Sequence, residues 1–149
     1  IDFCNSLLYA LPQTLITKLQ HIQNKAARVV CRASPREHIT PVLKSMHWLP
    51  VQKRIEHKVL CYTYKTLHGK APVYLEQLIH KHQQIRPLRS SHANRLHAPR
   101  TKTRYGDRTF TSASAKLWND LLKHLKCISD LDCFKRALKT HLFIEEYGH

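Results

Sequence analysis

The sequence predicts a mainly α-helical fold: a multi-helix bundle interrupted by an irregular basic segment between about residues 83 and 107. Apolar residues recur at three- and four-residue steps over most of the chain, which is the period of an amphipathic helix. Prolines stand at positions where helices would begin, and turn-sized breaks between the helical patterns favour antiparallel packing. The pattern is lost in one basic segment, which we interpret as a loop or as a short β-hairpin around Pro99.

The first predicted helix spans about residues 12–33 and carries two stripes. Pro12 suits a first helical position. The apolar stripe is expected to face the core and contains Leu15, Leu19, Ile22, Ala26, Val29, Val30 and Ala33. A cationic stripe lies roughly 110° further around the helix and contains Lys18, His21, Lys25, Arg28 and Arg32.

Three helices introduced by prolines are predicted next. Thr40 is expected to cap a short one that ends near residue 46. Pro50 opens a longer helix that Gly69 ends as a C′ residue, and a third covers about residues 72–81. Apolar residues spread widely around the second of these helices place it at the centre of the bundle. The cations that share one of its faces are Arg54, Lys58 and Lys65.

Two helices are predicted to close the chain after the basic segment. The first begins at Ser112 or Ser114, and its apolar face contains Leu117, Trp118, Leu121, Leu122 and Leu125. The second begins with Ser129 and Asp132, which approximate a capping box. Its apolar face contains Leu131, Phe134, Leu138 and Leu142. The tryptophans, Trp48 and Trp118, are expected to be core anchors beside helix boundaries.

Composition limits the class of protein. Apolar residues make up 42%, which excludes wholesale disorder, and no apolar run approaches a membrane span. The absence of a signal-peptide pattern and the start without methionine indicate a fragment of a larger intracellular protein. Five scattered cysteines without a C-x-x-C pair indicate reduced thiols, in the nucleus or the cytoplasm.

Charge is the strongest indication of function. The chain carries 25 Lys and Arg against 10 Asp and Glu, a net charge of +15. Within residues 1–106 the count is 18 Lys and Arg against 4 acids. Such an excess favours a polyanionic partner, with nucleic acid first and an anionic membrane second. A solvated cationic face with core aromatic residues is the alternative.

Catalytic and metal-binding patterns are weak by comparison. Glu37, Glu56 and Glu76 stand alone among basic residues, and Asp130 with Asp132 is better explained by capping a helix than by a metal site. The series Cys127, Cys133 and His141 lacks the paired short spacing of structural zinc. Three widely separated glycines cannot build a phosphate loop, and no G-x-S-x-G elbow occurs. We therefore predict no metal and no cofactor.

The predicted site is a set of phosphate contacts for RNA or an RNA–DNA hybrid, with duplex DNA as a further possibility. Tyr105 is the aromatic residue we place most readily outside the core, where it could stack on an unpaired base. The other predicted site residues are Lys18, Lys25, Arg28, Arg32, Arg54, Lys58, Arg100, Lys102 and Arg104.

Several short strings, in order, resemble one family. They are residues 2–9 (DFCNSLLY), 19–20 (LQ), 23–28 (QNKAAR), 39–44 (ITPVLK), 47–51 (HWLPV), 64–72 (YKTLHGKAP), 105–108 (YGDR), 116–119 (KLWN) and 138–143 (LKTHLF). Together they resemble the C-terminal part of a LINE-type (non-LTR) retrotransposon reverse transcriptase of the jockey or chicken-repeat-like lineages. The resemblance covers nearly the whole chain.

The resemblance implies a position after the polymerase palm. Residues 1–82 would be a thumb-like helical region that grips the template–primer, and residues 83–149 a basic linker with a C-terminal helical extension. The parent would be an RNA-directed DNA polymerase, but its F/Y-x-D-D motif is absent here. The chain would then have no activity of its own and would bind RNA and the remainder of the enzyme, with no small-molecule substrate and no membrane. The alternatives are a fragment that docks on the missing palm or a partner, a non-functional genomic relic, and a metal-dependent nuclease.

Overall fold

The chain is mainly helical, as predicted, in a computed structural model that describes residues 2–82 and 95–148. Much of the basic segment, including Arg86 and Arg89, lies outside the described residues. A 3-10 turn at Asn5–Leu8 precedes α1 (Gln13–Cys31), α2 (Ile39–Ser45), α3 (Val51–Leu67), α4 (Val73–Glu76), α5 (Arg104–Asp107), α6 (Phe110–Asp120), α7 (Lys123–Lys126) and α8 (Leu131–Tyr147).

Helix α3 is the central element, which confirms its predicted position. It contacts the 3-10 turn, α1, α4, α6 and α8, and its residues Ile55 and Tyr64 are fully buried. Gly69 ends it in the left-handed region, at φ +61°. The amide of Lys70 donates to the carbonyl of Lys65 at 2.8 Å, and the amide of Gly69 donates to that of Thr66. This is the Schellman pattern expected when glycine occupies the C′ position.

The largest hydrophobic cluster joins the C-terminal half of α3 to α6, α7 and α8. Tyr64 stacks on Phe134 with ring centroids 4.2 Å apart and donates a hydrogen bond to the carbonyl of Ile128 at 2.8 Å. Trp118 is 2% exposed, as predicted, whereas Trp48 is only half-buried. The predicted apolar face of α8 is confirmed at Phe134, Leu138 and Leu142. The cluster contains residues of α3 as well as residues of α6, α7 and α8. The two predicted regions, residues 1–82 and 83–149, therefore share one hydrophobic cluster.

The predicted inner face of α1 is wrong for most of its residues, and only Leu19 and Ala33 are half-buried against hydrophobic clusters. Leu15, Ile22, Val29 and Val30 are 43–79% exposed, and the residues that α1 buries are Ile16, Gln23 and Ala27. The reason is a pair of glutamine contacts with the start of α3. Gln23 Nε2 donates to the carbonyl of Leu49, and Gln20 Oε1 accepts from the amide of Val51, both at 2.8 Å. The amide of Val51 belongs to the first turn of α3, where amides have no partner within the helix.

Two other predictions in the first half are corrected. Helix α2 begins at Ile39 after His38, so Thr40 lies inside the helix and does not cap it. Helix α4 ends at Glu76 and does not reach residue 81. Instead, residues 80–82 pair with residues 95–97: the amide of His82 donates to the carbonyl of Arg95, and the amide of His97 donates to that of His80, both at 2.9 Å.

The hairpin around Pro99 does not form. Residues 95–97 pair with 80–82, and Arg104–Asp107 is a helical turn capped by Thr103. On its other side, Leu96 is held by the side chain of Asn119. The Oδ1 atom of Asn119 accepts from the amide of Leu96 at 2.9 Å, and its Nδ2 atom donates to the carbonyl of Leu96 at 3.0 Å. Asn119 thus takes the place of a neighbouring strand.

The boundaries of the last helices shift by a few residues. Helix α6 begins after Thr109, whose side chain accepts from the amide of Ser112, so the predicted caps Ser112 and Ser114 lie inside it. It ends at Asp120, which leaves Leu122 exposed between α6 and α7 and not on an apolar face. Helix α8 is capped by Asp130, one residue after the predicted Ser129.

Candidate nucleic-acid interface

A basic groove runs between α3 and α8. It has a volume of about 510 Å³, and its lining includes five cationic side chains. Arg54, Lys58 and Lys65 come from one face of α3, and Lys135 and Lys139 come from successive turns of α8. On a helix, residues four apart lie on the same face, so the packing of α8 against α3 brings the two rows together. We call this cleft the α3–α8 groove.

Two of the five cations are already engaged within the chain. Arg54 donates to the carboxylate of Asp2 at 2.8 and 3.0 Å and to the carbonyl of Leu49 at 2.9 Å. Its guanidinium also lies 5.3 Å from the centre of the Trp48 ring. Lys135 pairs with Asp132 at 2.9 Å. Arg54 therefore braces the end of the groove, where it fixes the segment that leads into α3.

The other three cations of the groove are available to a ligand. Within residues 2–82 and 95–148, no carboxylate forms an ion pair with Lys58, Lys65 or Lys139. Lys58 and Lys65 lie 5.7 and 5.9 Å from the centre of the Tyr62 ring, which lines the groove between them. The ring of Tyr62 thus lies between two ammonium groups, at cation–π distance from both.

His57 and Cys61 line the groove in their neutral forms. Burial lowers the pKa of His57; a hydrogen bond to the carbonyl of Lys135 opposes this, and the charges of Lys139, Lys58 and Lys135 add to it. Burial raises the pKa of the Cys61 thiol to about 11, although three nearby lysines oppose that shift. The two side chains lie 3.8 Å apart. Because the thiol is protonated at neutral pH, Cys61 is not an activated nucleophile.

The predicted cations of α1 lie outside the groove. Lys18, Lys25 and Arg32 are exposed, and Arg28 is half-buried. Arg28 donates through Nη2 to the carbonyl of Glu37 at 2.9 Å and through Nε to that of Ser34 at 3.4 Å. These bonds tie Arg28 to the segment that follows α1, after the chain turns at Arg32 with φ +52°.

The predicted site residues between 100 and 105 form a further exposed surface. Arg100, Lys102 and Arg104 are all exposed, and Tyr105 is 80% exposed, as expected for a residue outside the core. None of these four described residues lines the α3–α8 groove. Tyr105 lines a separate hollow of about 440 Å³ beside α6.

Sequence reasoning missed the α8 side of the groove. Lys135 and Lys139 were not predicted to bind, because the last 43 residues are nearly neutral overall. Their four-residue spacing matches that of Arg54 and Lys58, and this is the one signal that pointed to them. The sequence predicts Lys65 on the same face as Arg54 and Lys58, and the structure confirms that placement.

Three of the candidate catalytic acids, Glu56, Asp130 and Asp132, have structural partners. Glu56 pairs with Lys53 at 3.3 Å. Asp130 accepts from the amide of Cys133 at 2.8 Å, and this bond lowers the pKa of the carboxyl, so the capping interpretation is confirmed. In the described part of the chain, no group of three or more His, Cys, Asp or Glu side chains could hold a metal ion. No helix there is long and apolar enough to cross a bilayer.

Comparison with known proteins adds no relative: no protein-family model, curated protein or solved structure matches this chain. The arguments for function therefore come from the cations and aromatic residues described above.

Proposed function

We propose that this chain binds RNA or an RNA–DNA hybrid through its phosphates, without reading the base sequence and without catalysing a reaction. In this proposal it is the thumb and post-thumb part of a LINE-type retrotransposon reverse transcriptase. It would help the rest of that enzyme to hold its template–primer. The proposal combines the sequence resemblance with the charges of the described residues.

The observation that carries the proposal is the α3–α8 groove. Among the described residues, three lysines without a carboxylate partner line it, and two of them lie beside the ring of Tyr62. Phosphate contacts from lysines give affinity and position without base specificity, because every nucleotide presents the same phosphate. An aromatic face between them suits an unpaired base for the same reason. The exposed cations of α1 and of residues 100–104 would extend the contact along the backbone.

We propose no catalysis because five of the described acidic side chains are engaged in ion pairs or in a helix cap. Phosphoryl chemistry with two metal ions needs carboxylates that converge on one point. In the described residues, Asp2, Glu56, Asp132 and Glu145 form ion pairs with lysine or arginine, and Asp130 caps α8. A nuclease would be indicated instead by Mg²⁺-dependent cleavage of labelled RNA that is lost with one acid.

The proposal can be tested with fluorescence anisotropy on a labelled RNA–DNA hybrid, single-stranded RNA and duplex DNA, in about 50 to 300 mM salt. Three triple variants remove the same charge from different surfaces. They are K58A/K65A/K139A in the groove, K18A/K25A/R32A on α1 and R100A/K102A/R104A at the start of α5 and just before it. Far-UV circular dichroism in the same buffers checks that each variant is folded.

We expect the groove variant to weaken binding most and to lower the slope of log affinity against log salt by about 2 to 3, because each lost phosphate contact removes about 0.7 to 0.9. The variant at residues 100–104 should also weaken binding and flatten the salt dependence. If the groove variant binds as tightly as the wild type, the groove is not the nucleic-acid binding site. A folded wild-type chain that binds none of the three nucleic acids at low salt refutes the proposed function.

A further inference from the structure

Helix α1 exposes an apolar stripe that no other part of the described chain covers. Val29 is 79% exposed, Val30 64%, Ile22 56% and Leu15 43%. Ala26, between Ile22 and Val30, is exposed as well. With a rise of 1.5 Å per residue, the stripe from Leu15 to Val30 is roughly 22 Å long. We call these five residues the exposed α1 stripe.

The exposed α1 stripe has the spacing of a helix-packing seam. Ala26 follows Ile22 by four residues, and Val29 and Val30 follow Ala26 by three and four, the spacing by which two helices pack against each other. Isolated apolar side chains are common on protein surfaces, but a continuous seam of them marks an interaction site. The stripe lies about 100° from the buried face of α1, so a neighbour could lie alongside α1 without displacing the glutamine contacts to α3.

Charge decides which neighbour fits. One edge of the stripe carries Lys18 and Lys25, with Arg32 beyond them, and all three are exposed. The nineteen residues of α1 contain no acid. A second copy of this chain would bring an equally basic helix and a net charge of +15, so the two copies would repel each other. A helix with acidic residues along one edge would instead pair with the lysines while its apolar face covers the seam.

We propose that the exposed α1 stripe docks an acidic amphipathic helix of a partner protein. The apolar seam supplies most of the affinity, and the lysine edge selects the orientation and rejects basic partners. None of the residues of the stripe lines the α3–α8 groove, so this proposal does not depend on nucleic-acid binding there.

The test uses a synthetic helical peptide of three heptads, about 21 residues, with leucine at the a and d positions and glutamate along the flanking positions. A second peptide has lysine in place of each glutamate. A third has the composition of the first in scrambled order, so that it keeps the charge but has no apolar face. Binding of each labelled peptide to the full chain is measured by fluorescence anisotropy.

Two exposed positions of the stripe and one matched position elsewhere provide the variants. I22S and V29S remove apolar side chains from the seam, and V73S removes one on α4 that is 67% exposed. We expect the glutamate peptide to bind and the other two peptides to bind at least about tenfold more weakly. I22S and V29S should each weaken the glutamate peptide about fivefold to tenfold, because each removes apolar surface that docking would bury. V73S should leave the affinity unchanged.

Several outcomes would overturn the proposal. Equal binding of the glutamate and scrambled peptides would show attraction by net charge alone, and equal effects of V29S and V73S would place the contact elsewhere. Sedimentation that shows self-association, abolished by I22S or V29S, would make the occupant a second copy. Binding to phosphatidylserine vesicles that depends on the same residues, without binding of the glutamate peptide, would make it a membrane.

Discussion

Replacement of Asn119 by alanine should destabilise the protein by about 2 to 3 kcal/mol, because two buried backbone groups of Leu96 lose their partner at once. Leu96 is 3% exposed, and its amide and carbonyl are bonded to the Asn119 side chain. A buried polar group left without a hydrogen bond costs about 1 to 3 kcal/mol. We use about 1 to 1.5 kcal/mol for each group, the low end of that range, because the neighbouring Arg95 and His97 are exposed and water can approach.

The assay is equilibrium unfolding in urea, followed by far-UV circular dichroism. The matched control is Asn24→Ala, the same substitution on another helix. Asn24 accepts one hydrogen bond from Gln20 within α1, so its loss should change the free energy of unfolding by less than about 0.5 kcal/mol. An Asn119→Ala variant no less stable than this control would refute the argument.

A double-mutant cycle with Leu96→Ala tests whether the two residues act together. Leu96→Ala removes a buried side chain from the largest hydrophobic cluster and should cost about 2 to 4 kcal/mol on its own. If Asn119 stabilises the fold by holding Leu96 in that cluster, the double variant should lose at least about 0.5 kcal/mol less than the sum of the single losses. Strict additivity would mean that Asn119 acts through another contact.

Two further predictions concern α3. Gly69→Ala should lower the free energy of unfolding by about 1 kcal/mol, because Gly69 has φ +61°, although a Cβ atom there meets nothing within 4 Å. Gly69→Asn should lower it less, because asparagine tolerates the left-handed region better than alanine does. Equal urea midpoints for the wild type and the two variants would contradict this. In the folded protein the pKa of His57 is lowered from its ordinary value of 6.5. Below pH 6.5 the unfolded chain therefore binds more protons at this residue than the folded protein does, and the free energy of unfolding should fall as the pH drops towards the folded pKa. Urea unfolding at several pH values should show that the free energy of unfolding falls less steeply for His57→Gln than for the wild type. An identical pH profile would mean that His57 is not the cause of the fall.

The sequence was a good guide where one face of a helix meets an ordinary apolar core. The spacing of Phe134, Leu138 and Leu142 predicted the buried side of α8, and Pro50 with Gly69 predicted both ends of α3. In each case, local signals and packing agree. Periodicity alone therefore sufficed to predict the fold class.

The sequence was a poor guide where packing depends on polar contacts between distant segments. The buried face of α1 centres on Gln23, whose amide bonds to Leu49, 26 residues away. A pattern of apolar residues cannot reveal such a face, and it pointed to the exposed α1 stripe instead. Helix α4 is short for a related reason, since residues 80–82 pair with 95–97. The groove was half predicted, because its α8 side follows only from how α8 packs on α3.

The α3–α8 groove and the exposed α1 stripe have one physical feature in common. Each makes an unfavourable contribution to the free energy of the unbound protein, and a ligand would remove it. In the α3–α8 groove of the described structure, no carboxylate forms an ion pair with Lys58, Lys65 or Lys139, and a phosphate backbone would supply the negative charge that offsets their mutual repulsion. Along α1, apolar side chains face water, and a docked helix would cover them. A ligand that binds only the folded state also stabilises it. Nucleic acid and an acidic helix should therefore each raise the melting temperature, and together they should raise it by less than the sum of the two shifts, because both would pair with Lys18 and Lys25 of α1.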